Sequence, residues 1–190
     1  SGAHVWRAIP FAAPPVGERR WHPAEPAAGW SGEYEAVTPP TPCPQVANGL
    51  SADLLGADAG TLAGSEDCLY LDVYAPPNAA NLPVMVWIHG GANTWGWADQ
   101  YDGAQLAMDQ NVIVVIVQYR MGPLGFFAHE ALRDDGSGIA NFALTDHVAA
   151  LDWVQGHIAS YRGDPDTVTV FGESAGGTNI AALMASPLAT

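Results

Sequence analysis

Lysine is absent from this 190-residue sequence, and charge of any kind is scarce: 14% of the residues are charged, against roughly 25% in an average soluble protein. The six basic residues are all arginines. Without a lysine ammonium there is no Walker-type phosphate loop, and without a lysine amine no Schiff-base chemistry. Twenty acidic residues against six basic ones give a net charge of -14, which argues against nucleic acid as a partner, because little here could displace counterions from a phosphate backbone. Long apolar runs are missing too. The longest, Val112 to Val117, has six residues, far short of the roughly 20 needed to cross a bilayer, so no membrane span is expected. The first residue is Ser1, with neither an initiator Met nor a charged and apolar leader, so this sequence shows no export signal and nothing follows about whether one exists. Cysteine is almost absent. Cys43 and Cys68 are 25 positions apart, the wrong spacing for a CxxC redox or zinc pair. Either both are small buried thiols or they close a loop as a disulfide worth roughly 3.5 kcal/mol in the chain-entropy model, which suits an oxidising compartment.

What is present is apolar and rich in turns: 48% hydrophobic residues, 21 glycines and 15 prolines, the mark of a loop-rich globular chain with a real core. The composition shifts once, near residue 83. Residues 1–82 hold 11 of the prolines, so short strands joined by irregular segments are expected there, with one clear strand from Leu69 to Tyr74. After Pro83, apolar runs alternate with helical patterns, the signature of an α/β fold with a mainly parallel sheet. Strands are predicted at Val84–Ile88, Val112–Tyr119 and Thr167–Phe171, the second unbroken in its apolar character and so central and covered on both faces. A helix is predicted over 103–110. Another carries Leu144, Val148, Leu151, Val154 and Ile158 along one face, and a third runs from Ser174 to Ala185. Gly163, Asp164 and Pro165 are expected to turn the chain.

Gly172-Glu173-Ser174-Ala175-Gly176 matches the GxSxG nucleophile elbow, in which a sharp strand-to-helix turn lifts a serine hydroxyl clear of the sheet. Side chains two positions either side of that serine would collide, which is why glycine stands there. The five letters alone arise by chance about 0.1 times in such a composition, but the β-branched run before them and the helical run after them are what the mechanism requires. His89-Gly90-Gly91-Ala92 follows the Val84–Ile88 strand, where an oxyanion loop belongs. The amides of Gly91 and Ala92, with that of Ala175, can then point at a tetrahedral oxygen, each such donor worth roughly 3 to 4 kcal/mol. His89 is read as orienting the loop and not as the general base.

Together with Ile9-Pro10-Phe11-Ala12-Ala13-Pro14-Pro15-Val16-Gly17, Ser65-Glu66-Asp67-Cys68-Leu69-Tyr70-Leu71 and Tyr119-Arg120-Met121-Gly122, these motifs make nearly the whole chain resemble the type-B carboxylesterase and cholinesterase family of α/β-hydrolases. The resemblance implies a partial α/β-hydrolase fold and carboxylic-ester hydrolysis through an acyl-enzyme at Ser174. It implies a Cys43–Cys68 disulfide beside the active-site gorge, and with it a secreted or periplasmic protein. It also implies structural ion pairs Arg20–Glu66 and Arg120–Asp146, and a gorge-floor role for Glu173 in the electrostatics of a cationic intermediate, the alternative for Glu173 being a buried carboxylate held by a hydrogen bond. No cofactor or metal is implied.

The family places its triad acid and histidine after the serine. Only 16 residues follow Ser174 here, and none is Asp, Glu or His. Residues 1–190 are therefore read as the amino-terminal portion of one domain, essentially inactive alone, with the alternative of a catalytically silent cholinesterase-like binding or adhesion protein. His147 and His157 are expected as solvated or partly covered helix residues at the end of the sheet away from the serine, and His129, in a loop, is the least implausible substitute for the missing histidine. Asp134 to Gly138 and Gly136 to Asn141 mimic calcium and dinucleotide loops but lack required positions.

The loop from Pro44 to Asp67 holds no aromatic residue, so it offers no indole face for a quaternary ammonium group. Choline esters are disfavoured and small neutral esters preferred. Trp95 and Trp97 are either gorge lining or core anchors. Asn93 stands where relatives usually carry an apolar residue.

Overall fold

A computed structural model describes residues 2–132 and 141–189. The strands among them are β1 (His4–Pro10), β2 (Gln45–Val46), β3 (Leu62–Ala63), β4 (Tyr70–Ala75), β5 (Leu82–Ile88), β6 (Ile113–Val117) and β7 (Gly163–Gly172). The α-helices are α1 (Ala52–Leu55), α2 (Ala104–Gln110), α3 (Gly122–Phe126), α4 (Phe142–His157) and α5 (Ala175–Ala185). Five strands make one sheet in the order β1-β4-β6-β5-β7, and β2 with β3 makes a small separate ribbon. The sheet is mixed: β5 runs parallel to β6 and β7, whereas β4 is antiparallel to β6 and β1.

The five residues of β6 are all buried, as an unbroken Ile-Val-Val-Ile-Val run requires of a strand covered on both faces. One large core gathers residues from β1, β4, β5, β6 and α4, and a smaller one packs α2 against Tyr74, Val114 and Ile116. Each aliphatic side chain so buried contributes roughly 1.5–3 kcal/mol. The predicted stripe on α4 understates its burial. The first turns of that helix lie within the protein all round, from Phe142 through His147, with Trp153 and Val154 buried further along.

Two features depart from the sequence expectations. β1 is a strand of seven residues that no apolar alternation announces. It is held to β4 by Asp72, buried on β4, whose carboxylate accepts from the Arg7 guanidinium (3.0 Å) and from the Ala8 backbone N–H (2.8 Å). Ala8 has φ 52° at the point where the register shifts, so Asp72 caps a bulge. At Gly163–Pro165 the chain bulges but does not leave the sheet: Leu82 pairs with Gly163 and Val84 with Val168, the excursion being closed by Asp164 accepting from Asp166 N–H and the Thr167 hydroxyl.

The disulfide joins Cys43 to Cys68, both buried, and encloses the β2–β3 ribbon and α1. Both implied ion pairs form, in different surroundings. Asp146 takes Nε and Nη2 of Arg120 and also its backbone N–H, with side chains 3% and 0% exposed. Arg20 meets Glu66 in a two-pronged contact, with 40% and 25% exposure. Replacing Asp146 with Ala strands a buried guanidinium, and is expected to lower the unfolding free energy by about 3–5 kcal/mol, read from urea midpoints at constant slope. Glu66→Ala, at the solvated pair, is expected to move the midpoint far less.

Candidate active site

Parallel pairing brings the two chemical motifs together. Ile88, the last residue of β5, is in register with Gly172, the last of β7, so the segments that follow each strand emerge side by side at one edge of the sheet. One is the His89–Ala92 loop, the other Glu173-Ser174. A cleft of about 310 Å³ is lined by Gly90, Gly91, Ala92, Trp95, Glu173 and Ser174, with Gln100 and Tyr101 to one side.

Ser174 has φ 55° and ψ -120°, a backbone conformation that side chains rarely adopt and that costs roughly 1–3 kcal/mol. Its side chain is exposed at the start of α5. A Cβ on either Gly172 or Gly176 would run into the carbonyl oxygen of Ile88, so the collision expected from the motif is with the end of the neighbouring strand. The N–H of Ala175 opens α5 and has no acceptor inside the helix, and the positive end of the helix dipole faces the serine.

The opposing loop is equally tight. A Cβ on Gly90 would lie 2.5 Å from a Glu173 carboxylate oxygen, and one on Gly91, at φ 104°, would overlap the Trp95 carbonyl. Ala92 and Asn93 follow at φ 54° and 57°. The Gly91 carbonyl accepts from Thr94 and Trp95 N–H, while the amides of Gly91 and Ala92 take no acceptor among the described residues. Such a pair of free donors lining the same cleft as an exposed serine can hold an oxygen that gains negative charge. Glu173 is exposed in the cleft among the described residues.

Several residues that sequence reasoning passed over brace this loop. Gln45 donates to the carbonyls of Cys43 and Gly96 and accepts from Gly96 N–H, tying the disulfide loop to the segment after the glycines. Gln118 donates to Thr41 and Cys68 and accepts from Ala98. The Tyr119 hydroxyl donates to the His89 carbonyl at 2.8 Å. An apolar neighbourhood for these glutamines is readable in the sequence, but apart from Cys43 and Ala98 their partners lie about 50 or more residues away, and no local signal points to those. Trp95 lines the cleft, whereas Trp97 is 6% exposed and a core anchor. Trp95 also borders a second groove of about 870 Å³, walled by Trp21, Leu62, Met121 and Leu124 among others.

The histidines fall where expected in part. His89 is buried, its Nδ1–H donating to the Gly90 carbonyl (2.8 Å) and its ring stacked on Tyr119, consistent with holding the loop. His157 is exposed and stacked on Trp153. His129 accepts from Ala131 N–H in an exposed turn. His147 corrects the expectation of a solvated residue remote from the serine end. It is 1% exposed, and its ring meets Tyr119 at 4.5 Å, because α4 begins at the edge of the sheet where the motifs emerge. Neither ring nitrogen has a partner among the described residues. The calcium-like and dinucleotide-like stretches, Asp134 to Gly138 and Gly136 to Asn141, fall almost wholly outside the described residues.

A strand, a strained serine and a helix at the sheet edge, facing a glycine loop from the adjacent strand, are the arrangement of the α/β-hydrolases. The chain belongs to the carboxylesterase family, whose model matches residues 1–190. It is 46% identical to a human cocaine esterase over 99% of this chain and 34% of that protein, and 47% identical to a Bacillus subtilis para-nitrobenzyl esterase over 100% and 38%. A solved thermophilic PNB esterase superposes with a TM-score of 0.87 at 47% identity, and a Geobacillus stearothermophilus carboxylesterase with 0.80 at 38%, each covering all of this chain and 38% of the other. The chain thus spans about a third of the length of the relatives it matches.

Burial drives the His89 imidazole down to about 4 and that of His147 to about 3, the latter lowered further by His89. A folded value below the unfolded 6.5 means the unfolded chain binds the proton first, so this stability is complete above pH 6.5 and is lost as pH falls toward 4. Asp72 acts oppositely: burial raises it to about 6 against the pull of Ala8 N–H and Arg7, so its contribution weakens as pH rises from 3.8 to 6. His147→Phe keeps the ring packing and removes one titration. The variant is expected to gain about 2 kcal/mol on the parent between pH 7 and pH 5, measured by urea unfolding at both pH values; a pH-independent difference would contradict the burial argument.

Proposed function

We propose that residues 1–190 are the amino-terminal portion of a single α/β-hydrolase domain in a serine carboxylesterase that cleaves small neutral carboxylic esters. Ser174 attacks the acyl carbon. The amides of Gly91, Ala92 and Ala175 take up the negative charge on the carbonyl oxygen, and the alcohol leaves as an acyl-enzyme forms, which water then hydrolyses. Glu173, exposed beside the serine, supplies negative potential to the proton acceptor once that group is cationic. The observation that carries this reading is the cleft uniting Ser174 with Gly91 and Ala92. The relatives' names, among them esterases of para-nitrobenzyl substrates, support it.

A serine hydroxyl needs a base, and no imidazole lines the cleft among the described residues. The base therefore comes from the remainder of the domain, as does the acid that orients it. The neutral-ester preference follows from the disulfide loop without aromatic residues. The disulfide itself suits an oxidising compartment, so we place the protein outside the cytoplasm, secreted or periplasmic.

The test uses the natural full-length chain and its Ser174→Ala variant, with a fluorophosphonate label and a short p-nitrophenyl ester. Labelling and turnover are expected in the parent alone, with kcat down about a millionfold in the variant and equally in residues 1–190 by themselves. A parent that neither labels nor turns over would be the silent binding homologue instead.

A further inference from the structure

Behind the glycine loop lies a polar contact that the proposed chemistry has not used. The Asn93 amide donates through Nδ2 to Oδ1 of Asn179 at 3.2 Å, and Asn179 donates back from Nδ2 to Oδ1 of Asn93 at 3.0 Å. Asn93 is the residue next to Ala92 in the loop. Asn179 sits on α5, whose first residue follows Ser174, and is 3% exposed. A reciprocal pair of primary amides fixes both the distance and the relative tilt of the two groups, because two parallel N–H···O bonds leave no free rotation.

The surroundings make the pair more than local packing. Ala92 and Asn93 are consecutive residues at positive φ, and alanine pays roughly 1–2 kcal/mol there, so the loop keeps its shape only where neighbours over-determine it. Asn93 is held at two points, by Asn179 and by Gly122, and touches a third group. Its side chain binds Asn179, its carbonyl accepts from Gly122 N–H at 2.6 Å, and its Oδ1 lies 3.2 Å from the Tyr119 hydroxyl. Tyr119 has one proton and directs it to the nearer His89 carbonyl, so both ends of the His89–Asn93 loop are gripped by one cluster. The Asn93–Asn179 pair is the side-chain link within it between the loop bearing two proposed donors and the helix bearing the third.

We infer that Asn93 and Asn179 are positioning residues that set the gap between the Gly91 and Ala92 amides and Ser174, an inference that rests on the reading of Ser174 as nucleophile. Loss of the pair lets the loop relax away from the elbow, and the effect falls on the charged intermediate more than on the bound ester, since the donors grip tightly only when the oxygen carries charge.

The experiment takes the full-length chain with Asn93→Leu, Asn179→Leu and the double variant, beside Ser174→Ala, and measures kcat and KM on p-nitrophenyl butyrate together with the rate of fluorophosphonate labelling. Each single variant is expected to lose about tenfold to a hundredfold in kcat with KM within about twofold, labelling is expected to slow in parallel, and the double variant to be no worse than the poorer single one. Should Asn179→Leu fail to fold, Asn179→Asp serves: it has the same shape, keeps the acceptor for Asn93 and sets a carboxylate oxygen against Oδ1 of Asn93. Losses that multiply, a rise in KM at unchanged kcat, or parental rates in folded variants would overturn the positioning role. Turnover surviving in Ser174→Ala would instead overturn the reading on which it rests.

Discussion

The carbonyl oxygen of Ile88 is the contact around which this molecule is organised. It closes β5, and against it pack the α-carbons of Gly172 and Gly176, with no room for a side chain on either. One backbone atom thus sets how near the serine turn comes to the strand whose next residues form the glycine loop. The strained torsions of Ser174 follow from it, because a chain that must pass so close and enter a helix within two residues has few torsions left. The parallel β5–β7 register turns two motifs 85 residues apart into neighbours, and the all-buried β6 beside them keeps β5 in place.

Outside that contact, the loop is stabilised by polar groups buried at a cost. His89, Gln45, Gln118, Tyr119, Asn179 and Asp146 are all nearly inaccessible, and with the exception of one nitrogen of His89 their side chains find partners. A satisfied buried network gives a loop one geometry where an apolar filling would tolerate several. The disulfide acts in the same direction, since the Cys43 and Cys68 carbonyls are among the acceptors for Gln45 and Gln118. His147 is the member that does not fit this pattern: it is buried and unpaired among the described residues, and the burial that lowers its basicity makes it, with His89, an acid-sensitive point of the cluster.

Much of this was legible beforehand, and the division has physical reasons. β4, β5 and β6 are legible as apolar and β-branched runs, α4 as a periodic stripe, and α2 and α5 from the alternation of strand with helix, because their side chains answer to local burial. The serine turn and the glycine loop are legible because steric exclusion allows few residue types there. β1 has no local signature because His4-Val5-Trp6-Arg7-Ala8-Ile9-Pro10 owes its strand form to pairing with β4 and to Asp72 at its bulge, all more than 55 residues away. The bulge at Asp164–Asp166 reads locally as a turn, and only the pairing of its two flanks with β5 makes it part of a strand. His147 was misplaced for a topological reason: a helix entering from the carboxyl end of a parallel strand brings its first turns, not its last, to the reactive edge. The amide pair of Asn93 and Asn179 has no signature in either segment alone.

The groups assigned to polarise the ester are main-chain amides, whereas the cleft and the adjoining groove take their shape from side chains such as Trp95, Tyr101, Trp21 and Leu62. On the proposed function, reactivity and selectivity would therefore be encoded in different parts of the polymer. If the proposed reading holds, mutational drift at the walls would retune which acyl or alcohol portion is accepted while the polarising groups stay intact, and a directed-evolution library confined to those wall positions would sample new preferences without touching one of them.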